Sequence, residues 1–268
     1  MIAVRRLAIA ALVAIALFGL LAPVIAPYPY DRQFREAPGA TPSHAFLMGT
    51  DEIGRDRFSR LAWATRVSVL LAPAAALVSV ALALVISAFS GFRSRVMRRL
   101  IESLTTICLS LPWIFVFLVL RAELPLNTTP AASVALTFGL MGVAGWAWPA
   151  RVFTAAIGEM SDSGWMMQAR AAGVPNLRIA AIHAWPHVKS LAAAQFRILI
   201  PAYILSEASL GLLGLGVPDP LPSWGNLLRD LQQPDVVKAN PWVLAPLAIL
   251  MIAMISLELL QSRPEQAI

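Results

Sequence analysis

The fold class that this sequence predicts is an all-α integral membrane protein with six transmembrane helices. Three observations predict it. Hydrophobic residues make up 58% of the 268-residue chain and charged residues only 13%, with a mean hydropathy of +0.71. A soluble domain runs about 45–50% apolar and about 25% charged, so this much apolar surface has no place in one water-soluble core. Uncharged runs of about 20 residues, enough to cross a bilayer as helix, recur along the chain. Arginines sit at the edges of those runs. The runs are too long for barrel strands and do not alternate. The same composition excludes a soluble enzyme, a disordered tail and a nucleic-acid reader. Cys108 is the single cysteine, which excludes a disulfide module. The net charge of +6 is carried almost wholly by scattered arginines, Lys189 and Lys238 being the two lysines.

The first run is 7–26, behind Arg5 and Arg6. Its apolar stretch exceeds the roughly 7–15 residues of a secretory signal, so residues 1–27 read as an uncleaved anchor helix. An outside segment, 28–66, follows. Within it Thr50 is placed to cap a helix, with Asp51 and Glu52 in a first turn that favours acids. The remaining spans are 67–92, 103–120, 124–150, 190–213 and 239–257. The basic residues on the two sides are nearly balanced overall. The dense cluster Arg93, Arg95, Arg98 and Arg99 beside a span decides the orientation, with both termini in the cytoplasm. Trp63, Trp146, Trp148, Trp224 and Trp242 fall near span ends, where amphipathic rings prefer to sit, and Trp113 is the exception.

Two connecting segments stand out. The inside segment 151–189 is mostly apolar, which is odd for a solvated linker. Gly173 breaks it into two helical stretches, since glycine ends helices in the left-handed conformation. Pro175 suits the next first turn, and Pro186 separates the unit from the fifth span. Such a unit either folds back on the bundle or docks a partner protein. Outside, after the fifth span, Pro218, Pro220 and Pro222 stiffen a turn. Ser223 can cap a short helix whose Trp224, Leu227, Leu228 and Leu231 form a stripe for the bundle mouth or membrane surface.

No catalytic, cofactor or metal site is expected. The chain has no phosphate-binding glycine-lysine loop for ATP. Gly211, Gly214 and Gly216 have the wrong order for a dinucleotide fingerprint. His183 and His187 are spaced like zinc ligands, but Pro186 lies between them. The intramembrane charges are the sharper signal, because each costs roughly 2.5–3.5 kcal/mol or more against lipid. Arg197 and Glu207 are too far apart along one helix to pair with each other. By depth Arg197 is level with Glu258, and Glu207 approaches Arg121. These are either two interhelical pairs or a polar translocation path.

Four motifs together resemble the permeases of bacterial dipeptide/oligopeptide/nickel-type ABC importers, over residues from about 44 to 260. They are Gly49-Thr50-Asp51-Glu52-Ile53-Gly54-Arg55-Asp56, Trp146-Ala147-Trp148-Pro149-Ala150-Arg151-Val152, Ala169-Arg170-Ala171-Ala172-Gly173 with Trp185-Pro186 beyond it, and Glu207 to Gly216 followed by Pro222-Ser223-Trp224-Gly225-Asn226. Where the family carries Glu-Ala-Ala, this chain has Met167-Gln168-Ala169. The resemblance implies a six-span permease domain over 67–262, with a coupling loop at 151–189 and a cytoplasmic tail at 263–268, in the bacterial inner membrane. It implies that Ala169, Arg170, Ala171, Ala172, Gly173 and Pro186 couple the bundle to ATPases. The implied partners are a second permease subunit, two cytoplasmic ATPase subunits and a periplasmic solute-binding protein, in a lipid setting and without nucleic acid. The implied activity is ATP-driven import of peptides or a related small solute by alternating access. The alternative is an ion-coupled secondary transporter using Arg197 and Glu207.

Overall fold

The computed structural model describes residues 2–92, 95–112, 115, 116, 119, 129–161, 163–175, 178 and 185–262. The helices are α1 (Ile2–Leu20), α2 (Ala22–Ile25), α3 (Arg57–Phe92), α4 (Arg95–Ser110), α5 (Pro130–Ala144) and α6 (Ala147–Ser161). They continue with α7 (Gly164–Ala171), α8 (Trp185–Leu212), α9 (Trp224–Leu227), α10 (Pro234–Ala239) and α11 (Ala245–Gln261). Among the described residues strand pairing is limited to two isolated bridges, Gln33 with Arg55 and Thr50 with Asp56. Among the described residues five helical stretches are long and apolar enough to cross a membrane: Ile2–Leu20, Arg57–Ala88, Ala132–Met160, Trp185–Leu212 and Pro241–Gln261. The expected third span, 103–120, begins inside α4, and most of its second half lies outside the described residues.

The chain divides into two compact units. The first comprises residues 1–72, 121–137 and 201–268, the second 73–120 and 138–200. Both long helices pass from one unit to the other at an interior proline, Pro73 in α3 and Pro201 in α8. In the first unit α1 packs along α11. In the second, hydroxyls tie α3 to its neighbours. Ser79 Oγ donates to the Gly142 carbonyl at 2.6 Å, Ser87 Oγ donates to the Ala150 carbonyl at 3.1 Å, and Thr154 Oγ1 donates to Ser87 Oγ at 3.2 Å. Small and hydroxyl-bearing residues let membrane helices approach closely and satisfy one another.

Helix boundaries depart from the charge-free windows in three places. The second span's helix starts at Arg57, well before Val67. Thr50 does not cap it. Its hydroxyl donates to the Ala37 carbonyl and accepts from the Ala40 N–H at 2.8 Å, and residues 50 and 56 pair as a bridge. Asp56 is the cap instead, accepting the Ser59 N–H at 2.7 Å. The helix that carries the fourth window does not stop at Ala150, because α6 runs on to Ser161. Arg151 marks the end of apolar composition, not of backbone hydrogen bonding, and the break falls earlier, at the turn Gly145-Trp146. Likewise the cluster around Arg98 is not loop, since α4 already begins at Arg95.

Candidate functional site

The C-terminal end of α8 is bound to the turn that follows it by a buried polar knot. Glu207 is fully buried. Its carboxylate accepts the Ser223 hydroxyl at 2.5 Å and the Gly225 N–H at 3.3 Å, and the Ser68 hydroxyl of α3 also reaches it. The Ser223 side chain accepts the Asn226 N–H at 3.2 Å, while Asn226 Oδ1 accepts the Ser223 N–H at 3.0 Å, closing a capping box around α9. Gly211 makes this approach possible. A Cβ there would lie 2.2 Å from the Gly225 carbonyl carbon, so only two glycines let these backbones touch.

Trp224 corrects one expectation. It is neither a membrane-surface residue nor part of an interfacial belt, because it is 0% exposed. Its indole N–H donates to Thr65 Oγ1 at 3.0 Å and its backbone N–H to Ser68 Oγ at 3.3 Å. Leu228 is buried with it. The stripe beginning at Trp224 therefore packs into the bundle, because a buried indole N–H needs a partner and α3 supplies one.

Beside the knot lies a charged cleft of about 280 Å³, lined among others by Asp51, Arg57, Arg60, Asp219, Arg229 and Asp230. Arg55 bridges Asp51 at 2.6 Å and Asp219 at 2.8 Å. Arg60 meets Asp219 at 3.0 Å, and Arg57 meets Asp230 at 2.6 Å. The three pairs made by Asp219 and Asp230 join the 50–60 segment to the 219–230 segment across more than 150 positions of sequence. Partial burial alone would raise the Asp219 carboxyl, but Arg60 and Arg55 outweigh it and hold it below the ordinary carboxylate range.

The 151–189 segment has a different character. Helix α7 ends at a left-handed Gly173, φ +75°. The Val174 N–H returns to the Ala169 carbonyl at 3.1 Å, the closing bond of a Schellman turn. Met166 is buried and anchors α7, whereas Met167, Gln168, Ala171, Ala172 and Gly173 are exposed and Ala169 is half-buried. Among the described residues Met166 is tucked in, while Met167, Gln168, Ala171, Ala172 and Gly173 are presented. Pro186 lies in the first turn of α8 and does not separate it from a preceding element, and His183 and the stretch before Trp185 lie outside the described residues.

The intramembrane charges are not brought together as one set. Arg121 lies outside the described residues, and the contacts seen at Glu207 come from the two hydroxyls and one N–H already named. Arg197 is exposed and donates Nε to the Ala193 carbonyl at 3.2 Å. Glu258 is exposed on α11, in the other unit. Sequence reasoning missed Thr65, Ser68 and Asp219 as partners. The signal for the first two was available, since hydroxyl residues at the start of an apolar helix need something to bind.

A family model described as "Binding-protein-dependent transport system inner membrane component" matches residues 58–268. The chain is similar to the oligopeptide transport system permease protein OppC of Escherichia coli K12, 32% identical over 241 residues, covering 87% of this chain and 75% of that protein. It is similar to the di/tripeptide transport system permease protein DppC of Pseudomonas aeruginosa, 29% identical over 235 residues, covering 84% and 74%. It is similar to the dipeptide transport system permease protein DppC of Bacillus subtilis, 26% identical over 227 residues, covering 83% and 68%.

Proposed function

We propose that this chain, which belongs to the binding-protein-dependent transport system inner membrane component family, is the permease subunit of an ATP-driven peptide importer of the bacterial inner membrane. The observation that carries the reading is the family match over 58–268, joined to relatives named as oligopeptide and dipeptide permeases. The chain works with other transporter subunits and does no chemistry of its own. In the finer reading, 103–120 completes the set of six spans and both termini are cytoplasmic. A second, related permease completes the pathway, two ATPase subunits hydrolyse ATP inside, and a solute-binding protein delivers peptide outside.

In this reading α7 and its Gly173 turn are the coupling element. The support is a short helix that is anchored by Met166 and leaves Ala171, Ala172 and Gly173 uncovered. ATP-driven closure of the ATPases pushes on that surface and switches the bundle between inward-open and outward-open states. Arg197 and Glu258 stand as a pair expected from depth alone, each exposed in its own unit. In a double-mutant cycle, Arg197→Ala should lower the yield of folded complex and added Glu258→Gln should recover part of it, while additive losses would argue against pairing. The ion-coupled alternative loses its motive at Glu207, whose carboxylate is occupied by structural donors.

The coupling role is tested by Gly173→Asp, where a side chain must adopt φ +75°. The variant should insert normally, lose most co-purifying ATPase and abolish peptide uptake. Unchanged uptake together with unchanged ATPase recovery would overturn it.

A further inference from the structure

A second polar cleft lies in the other unit, between α4 and α6. It measures about 310 Å³ and is lined by Glu102, Thr105 and Thr106 from α4 and by Arg151, Thr154 and Ala155 from α6. Arg98 rims it. Its guanidinium lies against Gly158, where a Cβ would stand 3.2 Å from Nη1, and its Nε meets Glu102 at 3.1 Å. Arg151 has no ion-pair or hydrogen-bond partner among the described residues, and it is exposed into the cleft. Two guanidiniums against one carboxylate leave the site an excess positive charge. Thr106 donates to a carbonyl of its own helix, so its hydroxyl can be redirected to a ligand at little cost.

The surroundings identify the ligand. The side of α4 turned away from the cleft carries Val96, Leu100, Leu104 and Ile107, all exposed and spaced on one stripe, the mark of a helix at the lipid boundary. On α6 the exposed Trp148 sits three residues before Arg151 and on the same side of the helix. An arginine one turn from an exposed tryptophan marks the depth of lipid headgroups. Basic pockets between membrane helices at that depth bind anionic headgroups.

We propose that the cleft between α4 and α6 binds the phosphate of an anionic phospholipid, held by Arg151, Arg98 and the Thr106 hydroxyl, with its acyl chains beside Trp148. The lipid would brace α4 against α6, which leads directly into the α7 turn. The proposal concerns lipid retention, so it stands or falls separately from peptide uptake.

The experiment uses the assembled importer purified in detergent and incubated with dioleoylphosphatidylglycerol, with dioleoylphosphatidylcholine, or with inorganic phosphate alone, read by native mass spectrometry. The phosphatidylglycerol should be retained over the phosphatidylcholine. Arg151→Gln should lower that retention about fivefold, the weight of one basic residue at an anionic surface, and leave the phosphatidylcholine unaffected. Thr106→Val, a milder change at an exposed position, should lower it in the same direction and covers the case in which Arg151→Gln fails to assemble. Equal retention of the two lipids would overturn the proposal, as would unchanged phosphatidylglycerol retention in Thr106→Val and in whatever Arg151→Gln complex forms. Displacement of the phosphatidylglycerol by millimolar inorganic phosphate would assign the cleft to a free anion instead. Loss of a partner subunit from Arg151→Gln with lipid retention intact would assign it to a subunit contact.

Discussion

The Glu207 carboxylate meets the Ser223 hydroxyl at 2.5 Å, and neither side chain is exposed to solvent. The contact joins the C-terminal end of α8 to the turn that leaves it. A buried carboxylate in an apolar bundle is tolerated because its acceptor positions are filled by donors of fixed geometry.

Removing that carboxylate therefore strands its partners. Glu207→Ala should leave the Ser223 and Ser68 hydroxyls and the Gly225 N–H without their acceptor. At about 1–3 kcal/mol for each buried unsatisfied group, the loss is on the order of several kcal/mol. Glu207→Gln keeps an acceptor and should cost less. Thermal unfolding of the detergent-purified complex measures both, and equal stability of Glu207→Ala and the parent would remove the knot from the account.

The two glycines make a sharper, steric prediction. Gly211→Ala places a methyl carbon 2.2 Å from the Gly225 carbonyl carbon, whereas a Cβ at Gly139 meets nothing within 4 Å. Gly211→Ala should reduce folded yield severely. Gly139→Ala should be neutral or gain up to about 1 kcal/mol of helix propensity. Similar yields from the two would show that the turn can move off α8.

Asp219 gives the ion pairs of the charged cleft a pH signature. Arg60 and Arg55 depress its folded pKa below the value of about 3.9 in an unfolded chain. A depressed carboxylate contributes stability that is fully present above the unfolded value and fades as pH falls through the folded one. The side chain is 52% exposed, so solvent screening keeps the effect small. Asp219→Asn should flatten the loss of stability below about pH 4 and change little at pH 7 except for the missing pairs. An unaltered acid limb would mean that these arginines do not act on this carboxylate.

Orientation is tested by labelling. In a Cys108→Ser background, Ser43→Cys should react with an impermeant thiol reagent in intact cells, since Ser43 is exposed in the 28–66 segment, which is expected outside. Ser94→Cys, within the basic cluster, should react only after the cells are opened. The opposite pattern would invert the topology.

Two local features are legible in the amino-acid order alone. A glycine in the position of Gly173 ends a helix in the left-handed conformation, and the chain turns there at φ +75°. A serine ahead of the Trp224 stripe caps a short helix, and Ser223 does so with a full capping box. Both depend on backbone rules that act over four or five residues. Thr50 fails as a cap because Asp56 competes for the same helix start and the Ala37 to Ala40 turn claims the threonine hydroxyl. That competition involves residues brought in from outside the local window.

The sequence by itself determined the membrane setting and the all-helical class, because apolar runs this long, without alternation, satisfy their backbone groups in lipid only as helices, and its motifs carried the resemblance to the family. It also determined where the polar residues sit along the chain. Only the tertiary structure decided their partners. Depth alone pairs Glu207 with an arginine, yet it binds Ser223, sixteen positions away, together with Ser68 of α3. Depth along a span is a one-dimensional quantity, fixed by residue number. The partner of a buried group depends on helix rotation and on which backbones can touch, and here Gly211 and Gly225 set that contact.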